Sequence, residues 1–112
     1  MMNCKRRWKS LSQDKILSLL GLAKKSGNIA SGEFATEKAV KTGDAFLVVV
    51  ANDASDNTKK LFSDKCSFYN VPIEFYSDKA GLGHALGYEM RTSLAVLDSG
   101  FADSLIKKIK ER

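Results

Sequence analysis

The chain has 112 residues, of which 44% are apolar and 28% charged; this is the balance of one globular domain with its own core, and it excludes a disordered chain or two domains of ordinary size. The formal net charge of +5 is placed unevenly: residues 1–25 carry Lys5, Arg6, Arg7, Lys9, Lys15, Lys24 and Lys25 against Asp14 alone, a local +6, while the remaining 87 residues sum to −1. An N-terminal cationic segment that also holds Trp8 suits attraction to a polyphosphate or an anionic surface, or else is a solvated tail.

These features predict a flexible basic arm over 1–10 and a single α/β domain over 11–112. No apolar run approaches the roughly 20 residues of a spanning helix, and Lys5-Arg6-Arg7 is not followed by the apolar stretch of a signal peptide. A cytoplasmic protein with no membrane partner is expected. Cys4 and Cys66 lack metal-ligand spacing, and Cys66, set in an apolar helical pattern, reads as a buried, inert thiol.

In chain order, Ile16, Leu17, Leu20 and Ala23 have helical spacing, which predicts a helix over about 13–26 capped by Ser12 and ended by Gly27. Ile29-Ala30-Ser31 is a short strand candidate. Gly32 then opens a second helix, carrying Ala35, Ala39 and Val40, that Gly43 stops. The run from Phe46 to Ala51 has no polar face and reads as a central strand covered on both sides. Turn chemistry at 52–55 leads into a third helix with Leu61, Phe62, Cys66, Phe68 and Tyr69, ended by Asn70. A strand over 72–76 begins at Pro72, where a missing ladder donor is tolerated. Ser77-Asp78 caps a short helix over 79–87, the last strand covers 94–97, and Ala102, Leu105, Ile106 and Ile109 trace one face of a final helix. Strands alternating with helices predict an α/β domain whose small sheet lies between helical layers.

The inventory for catalysis is thin. His84 stands alone among small and apolar residues, and Ser10, Ser55 and Cys66 have no His or Asp partner at recognisable spacing. The glycines at 81, 83 and 87 run through a helix and do not link a strand to a helix opening, so they are no dinucleotide fingerprint. No enzymatic activity, cofactor, metal or small-molecule substrate is expected.

Two segments carry binding chemistry. The opening of the second helix, from Ser31 to Val40, offers free backbone N–H groups and the positive dipole end to a phosphate, with Lys38 one turn in; alternatively, Glu33 and Glu37 satisfy the dipole, and Glu37 pairs with Lys41. The loop Tyr88-Glu89-Met90-Arg91-Thr92 offers an aromatic face, a thioether and a guanidinium, a kit for stacking on an unpaired base and gripping its phosphate, or else it is an ordinary polar turn.

Leu19-Leu20-Gly21-Leu22-Ala23-Lys24-Lys25-Ser26-Gly27, then Ser31-Gly32, Lys38-Ala39-Val40, Asn52 to Thr58, and Lys79, Leu82, Gly83, Ala85 and Gly87 together resemble the bacterial YlxQ-type branch of the kink-turn-binding ribosomal protein family, the group of the L7Ae and L30e proteins. The ordered match spans about residues 14–106. The resemblance implies a three-layer α/β/α sandwich with a small mixed four-stranded sheet. It also implies binding of kinked or internally looped RNA, often in a ribosomal setting.

Residue by residue, it implies that Gly32 and Lys38 contact the tandem sheared G·A pairs and Lys79 the RNA backbone, while Tyr88, Glu89 and Met90 clasp an extruded nucleotide. Glu33, Phe34, Lys41 and Arg91 complete the expected contact set. The chain departs from the family pattern at Phe34 and Ala35, where the family places an asparagine and a glutamate that read base edges; a phenyl ring and a methyl group cannot replace those hydrogen bonds. Relaxed or altered RNA selectivity is one expectation. The other is a protein-interaction module in which an exposed Phe34 beside Tyr88 forms an apolar patch. Both require the opening of the second helix to lie beside the turn that precedes the last strand.

Overall fold

The computed structural model describes residues 15–111; the predicted arm, Cys4, Trp8 and the Ser12 cap lie outside them. The first helix, α1, covers 15–25 within this range. It is followed by β1 (Ile29–Ser31), α2 (Glu33–Thr42), β2 (Leu47–Val50), α3 (Asp56–Tyr69), β3 (Ile73–Phe75), α4 (Lys79–Leu86), β4 (Ser93–Val96) and α5 (Ser99–Glu111). The predicted order of elements holds throughout, with boundaries displaced by a residue or two.

One mixed sheet has the order β1-β4-β2-β3. β4 runs antiparallel to both β1 and β2, whereas β2 and β3 are parallel. β2 and β4 are central and fully buried and, apart from Ser93 at the start of β4, are apolar on both faces. Alternation sends Leu47, Val49, Leu94 and Val96 to one face, where they meet Ile16, Leu20, Leu82, Leu105 and Ile109 of α1, α4 and α5. Val48, Val50 and Ala95 point to the other face, against Val40, Phe62 and Cys66 of α2 and α3. The result is the three-layer α/β/α sandwich.

The helix ends follow local chemistry. Ser55 accepts from the Thr58 N–H, and Asp78 accepts from the Gly81 N–H at 2.7 Å. The predicted stops at Gly27, Gly43 and Asn70 all adopt the left-handed conformation, and so does Gly87, which falls just past the end of α4. After α1, for example, Asn28 and Gly27 donate to the carbonyls of Ala23 and Lys24 in a paired closing motif.

Two apolar residues depart from the expected pattern. Phe46 lies just outside β2 and is exposed, and Phe68, in the last turn of α3, is 77% exposed, where it meets Tyr69 edge-to-face at 4.9 Å. The buried stripe of α3 passes through Phe62 and Cys66, and Phe68 sits well round the helix from it.

Candidate nucleic-acid interface

The site begins at the junction of β1 and α2. Gly32 takes φ 95° and ψ 157°, a region open in practice to glycine alone, and it caps α2 without a side chain. Its N–H donates to the Ser93 carbonyl at 2.9 Å, which fastens the opening of α2 to β4. The first turn therefore presents its positive end without a side-chain acceptor on its cap residue.

The sides of α2 have distinct fates. Thr36, Ala39 and Val40 are buried. On the side towards α3, Glu33 accepts from the Thr58 hydroxyl at 3.3 Å, and Glu37 pairs with Lys41 at 3.4 Å and with Lys65 at 3.7 Å. Phe34 and Lys38 occupy the remaining side, where they border a groove of about 330 Å³ whose lining includes Ala30 and Leu97. Phe34 is 81% exposed.

The loop before β4 is held at both ends. Gly87 adopts φ 85°, which lets the chain reverse out of α4 while the Tyr88 N–H donates to the Gly83 carbonyl at 2.7 Å. A Cβ on Gly83 would stand 2.6 Å from the Met90 nitrogen, so only a hydrogen at that position admits the returning backbone. The Arg91 N–H donates to the Lys79 carbonyl at 3.0 Å, and the Lys79 N–H donates to the Asp53 carboxylate at 2.9 Å. The side chains of Tyr88, Glu89 and Met90 are consequently exposed on a backbone that is tied down.

Arg91 joins the two segments. Its guanidinium lies 3.8 Å from the centre of the Tyr88 ring, and its Nε donates to Ser31 Oγ at 3.4 Å. The Lys24 ammonium, arriving from the end of α1, stands 5.3 Å from the same ring. The Tyr88 phenol titrates below the ordinary tyrosine range, because Ser31 hydrogen-bonds it and because the Lys24 and Arg91 cations favour the phenolate. The end of α1, β1 and the far-removed loop before β4 thus converge on one cationic, aromatic surface.

Of the predicted site residues, Gly32, Tyr88, Met90 and Arg91 come together here, and Lys79 joins through its backbone. Phe34 and Lys38 flank the group along the open side of α2. Glu33 turns towards Thr58 instead. Lys41 is not brought to the cluster: it lies in the last turn of α2, about 13 Å along the axis from Gly32, and pairs with Glu37. The Glu37–Lys41 pair that the spacing allowed is present. Phe34 makes no ring contact with Tyr88 among the described residues, so the single apolar patch expected from the two does not form as such; Tyr88 is covered by cations.

Two contributors were not singled out as contact residues by the sequence. Lys24 and Ser31 both stand inside the segments that carry the family resemblance, and adjacency to Gly32 was the available signal for Ser31. His84 is exposed and borders a different groove, with Leu17, Ser18, Leu22 and Lys25, between α1 and α4. Among the described residues no group of three or more His, Cys, Asp or Glu side chains is gathered as for a metal, and no helix is long and apolar enough to cross a membrane.

Residues 14–106 match the Ribosomal protein L7Ae/L30e/S12e/Gadd45 family, and the chain belongs to it. Within that family it is 43% identical over 88 residues to the RNA-binding protein YlxQ of Bacillus subtilis (strain 168), an alignment covering 79% of this chain and 88% of that protein. To the RNA-binding protein YlxQ of Enterococcus faecium it is 38% identical over 100 residues, covering 89% and 92% of the two chains. A solved structure of a protein of unknown function from Bacillus halodurans superposes with a TM-score of 0.83 at 38% identity, covering 86% of this chain and 97% of the other.

Proposed function

We propose that this protein binds structured RNA, of the kink-turn or a related internal-loop type, as a non-catalytic ribosomal or ribosome-associated protein of the cytoplasm. The observation that carries the reading is the Arg91–Ser31 contact, which sets the loop at 88–91 against the opening of α2. A helix N-terminus and a Tyr/Arg/Met loop at one place combine a phosphate site with a stacking surface, the two things that recognition of a bent, partly unpaired RNA requires. In this assignment Gly32 lets the RNA approach the α2 backbone, and Lys38 and Lys79 meet phosphates. Tyr88, Glu89, Met90 and Arg91 hold an extruded nucleotide. The basic arm, residues 1–10, adds long-range attraction to the domain that follows it.

The test is binding of the full chain to a panel of kink-turn, other internal-loop, ribosomal and plain duplex RNAs across a range of salt. Affinity is expected to fall with salt, and Lys38→Ala to weaken binding while lowering the log–log slope by about 0.7–0.9, the share of one phosphate contact. Absent or salt-independent binding across the panel defeats the reading.

One observation favours a second reading, a protein-interaction module on the same fold: the exposure of Phe34. It predicts a partner whose capture depends on Phe34 and not on Lys38.

A further inference from the structure

We propose that Phe34 and Lys38 form a platform for one unpaired nucleobase of the bound RNA, with the phenyl ring against the base and the ammonium against its phosphate. This rests on the RNA-binding reading above and extends it to the residue that sets base preference at the α2 opening.

Phe34 stands at the second position of α2, where nothing in the packing uses it. An aromatic side chain normally contributes 150–250 Å² to a core or an interface, yet four-fifths of this one faces solvent. Lys38 follows at the i+4 position, so the two side chains share a face. The cations on the neighbouring side, Lys41 and Lys65, both pair with Glu37, whereas Lys38 has no ion pair among the described residues. An apolar ring and an unpaired cation are thus presented together, next to the first turn of a helix whose cap supplies no side-chain acceptor.

The scale of the groove selects the occupant. About 330 Å³, lined besides Phe34 and Lys38 by Ala30, Ala35, Leu97 and, towards the end of α2, Thr42 and Asp44, is at the lower end of small-ligand sites. It admits a single planar group. A stable protein interface covers about 800 Å² on each partner and has clustered anchors. Of the six other exposed large apolar residues among those described, Leu22, Phe46, Phe68, Tyr69, Tyr88 and Met90, none lines this groove. A ring beside a cation at the edge of a phosphate-binding helix opening fits a base and its phosphate better than it fits a peptide. Because a phenyl group offers a π-face and no hydrogen bonds, the platform discriminates by stacking area, favouring purines, and does not read a base edge.

The experiment uses the full chain and a kink-turn RNA in which 2-aminopurine replaces each unpaired nucleotide in turn, with a parallel series carrying an abasic residue at the same positions. At one position binding is expected to change the fluorescence, and Phe34→Tyr and Phe34→Trp to keep the effect. Phe34→Ala is expected to abolish it and to weaken binding of the intact RNA about tenfold, with no further loss on the RNA that is abasic at that position. If Phe34→Ala binds the intact RNA as tightly as the parent and leaves every fluorescence change in place, the platform is wrong while RNA binding stands, and the ring is left to a protein partner. Equal losses on intact and abasic RNA also overturn it, since the ring is then not stacking on a base. If the parent chain binds none of these RNAs, the platform falls together with the reading on which it rests.

Discussion

Arg91 and Tyr88 stack with the guanidinium 3.8 Å from the ring centre, and the same guanidinium reaches across to Ser31, sixty positions earlier in the chain. This contact orients the loop towards the opening of α2 and leaves the outer face of the cluster positively charged. Its geometry needs a flat, delocalised cation with several donors, which lysine does not supply.

Arg91→Ala is therefore expected to weaken RNA binding by about 1–3 kcal/mol, through loss of a guanidinium that would meet the RNA and of the contacts that preorganise the loop. Arg91→Lys is expected to recover only part of this, because an ammonium cannot stack and hold Ser31 together. Titration of a fluorescent kink-turn RNA at two salt concentrations measures both variants; full recovery by lysine would show that charge alone matters.

A pH effect follows from Tyr88. Its folded pKa lies below the unfolded value, so the phenolate is favoured in the folded state. The resulting stabilisation is fully present above the unfolded pKa and is lost as pH falls through the folded one. Ultraviolet titration is expected to show a tyrosine ionising below the ordinary range, absent from Tyr88→Phe and moved upward in Lys24→Ala. Since a phenolate repels phosphate, RNA affinity is expected to decline as pH rises through the same transition, and a Tyr88→Phe chain to lack that component.

Gly83 faces the Met90 backbone, which has nowhere to retreat while Tyr88 and Arg91 remain hydrogen-bonded on either side. Gly83→Ala is expected to cost about 1–3 kcal/mol in denaturant unfolding, the range for overpacking a closed site. RNA affinity is expected to fall as well, because the loop must move. A stable variant with unchanged RNA affinity would contradict the loop's role.

Cys66 is buried in α3, and desolvation pushes its thiol up to about 11 from the ordinary 9.0. The sign is opposite to that of Tyr88: the raised value favours the neutral thiol in the folded state, so stability declines as pH rises above the unfolded pKa of about 9. In a Cys4→Ser background, alkylation of Cys66 at pH 8 is expected only at the rate at which the protein opens, and to become fast in denaturant. Rapid reaction under native conditions would place Cys66 at the surface.

Most of the fold was legible in the sequence because its signals are local. The apolar run through Leu47–Val50 could be satisfied only by burial on both faces, and the stops at Gly27, Gly43 and Asn70 need the left-handed conformation that glycine and asparagine take most readily. The exposure of Phe68 is likewise a matter of spacing: two positions beyond Cys66, at about 100° per residue, it lies nearly opposite that residue and off the buried stripe of α3. Lys41 shows what spacing leaves open: its pairing with Glu37 could be read from it, whereas which face of α2 met α3 could not.

The amino-acid order by itself determined the succession of helices and strands, the two-faced character of β2 and the left-handed helix stops, all consequences of interactions between residues close along the chain. The family resemblance, too, was carried by that order. Only the tertiary structure decided that Lys24, Ser31, Tyr88 and Arg91 meet, and that Phe34 and Lys38 remain open while Glu33 and Glu37 are drawn to α3. Those outcomes depend on how β1 and β4 pair and how α2 and α3 lie across the sheet. Long-range registry of this kind comes from burying the core as a whole and has no counterpart in local spacing.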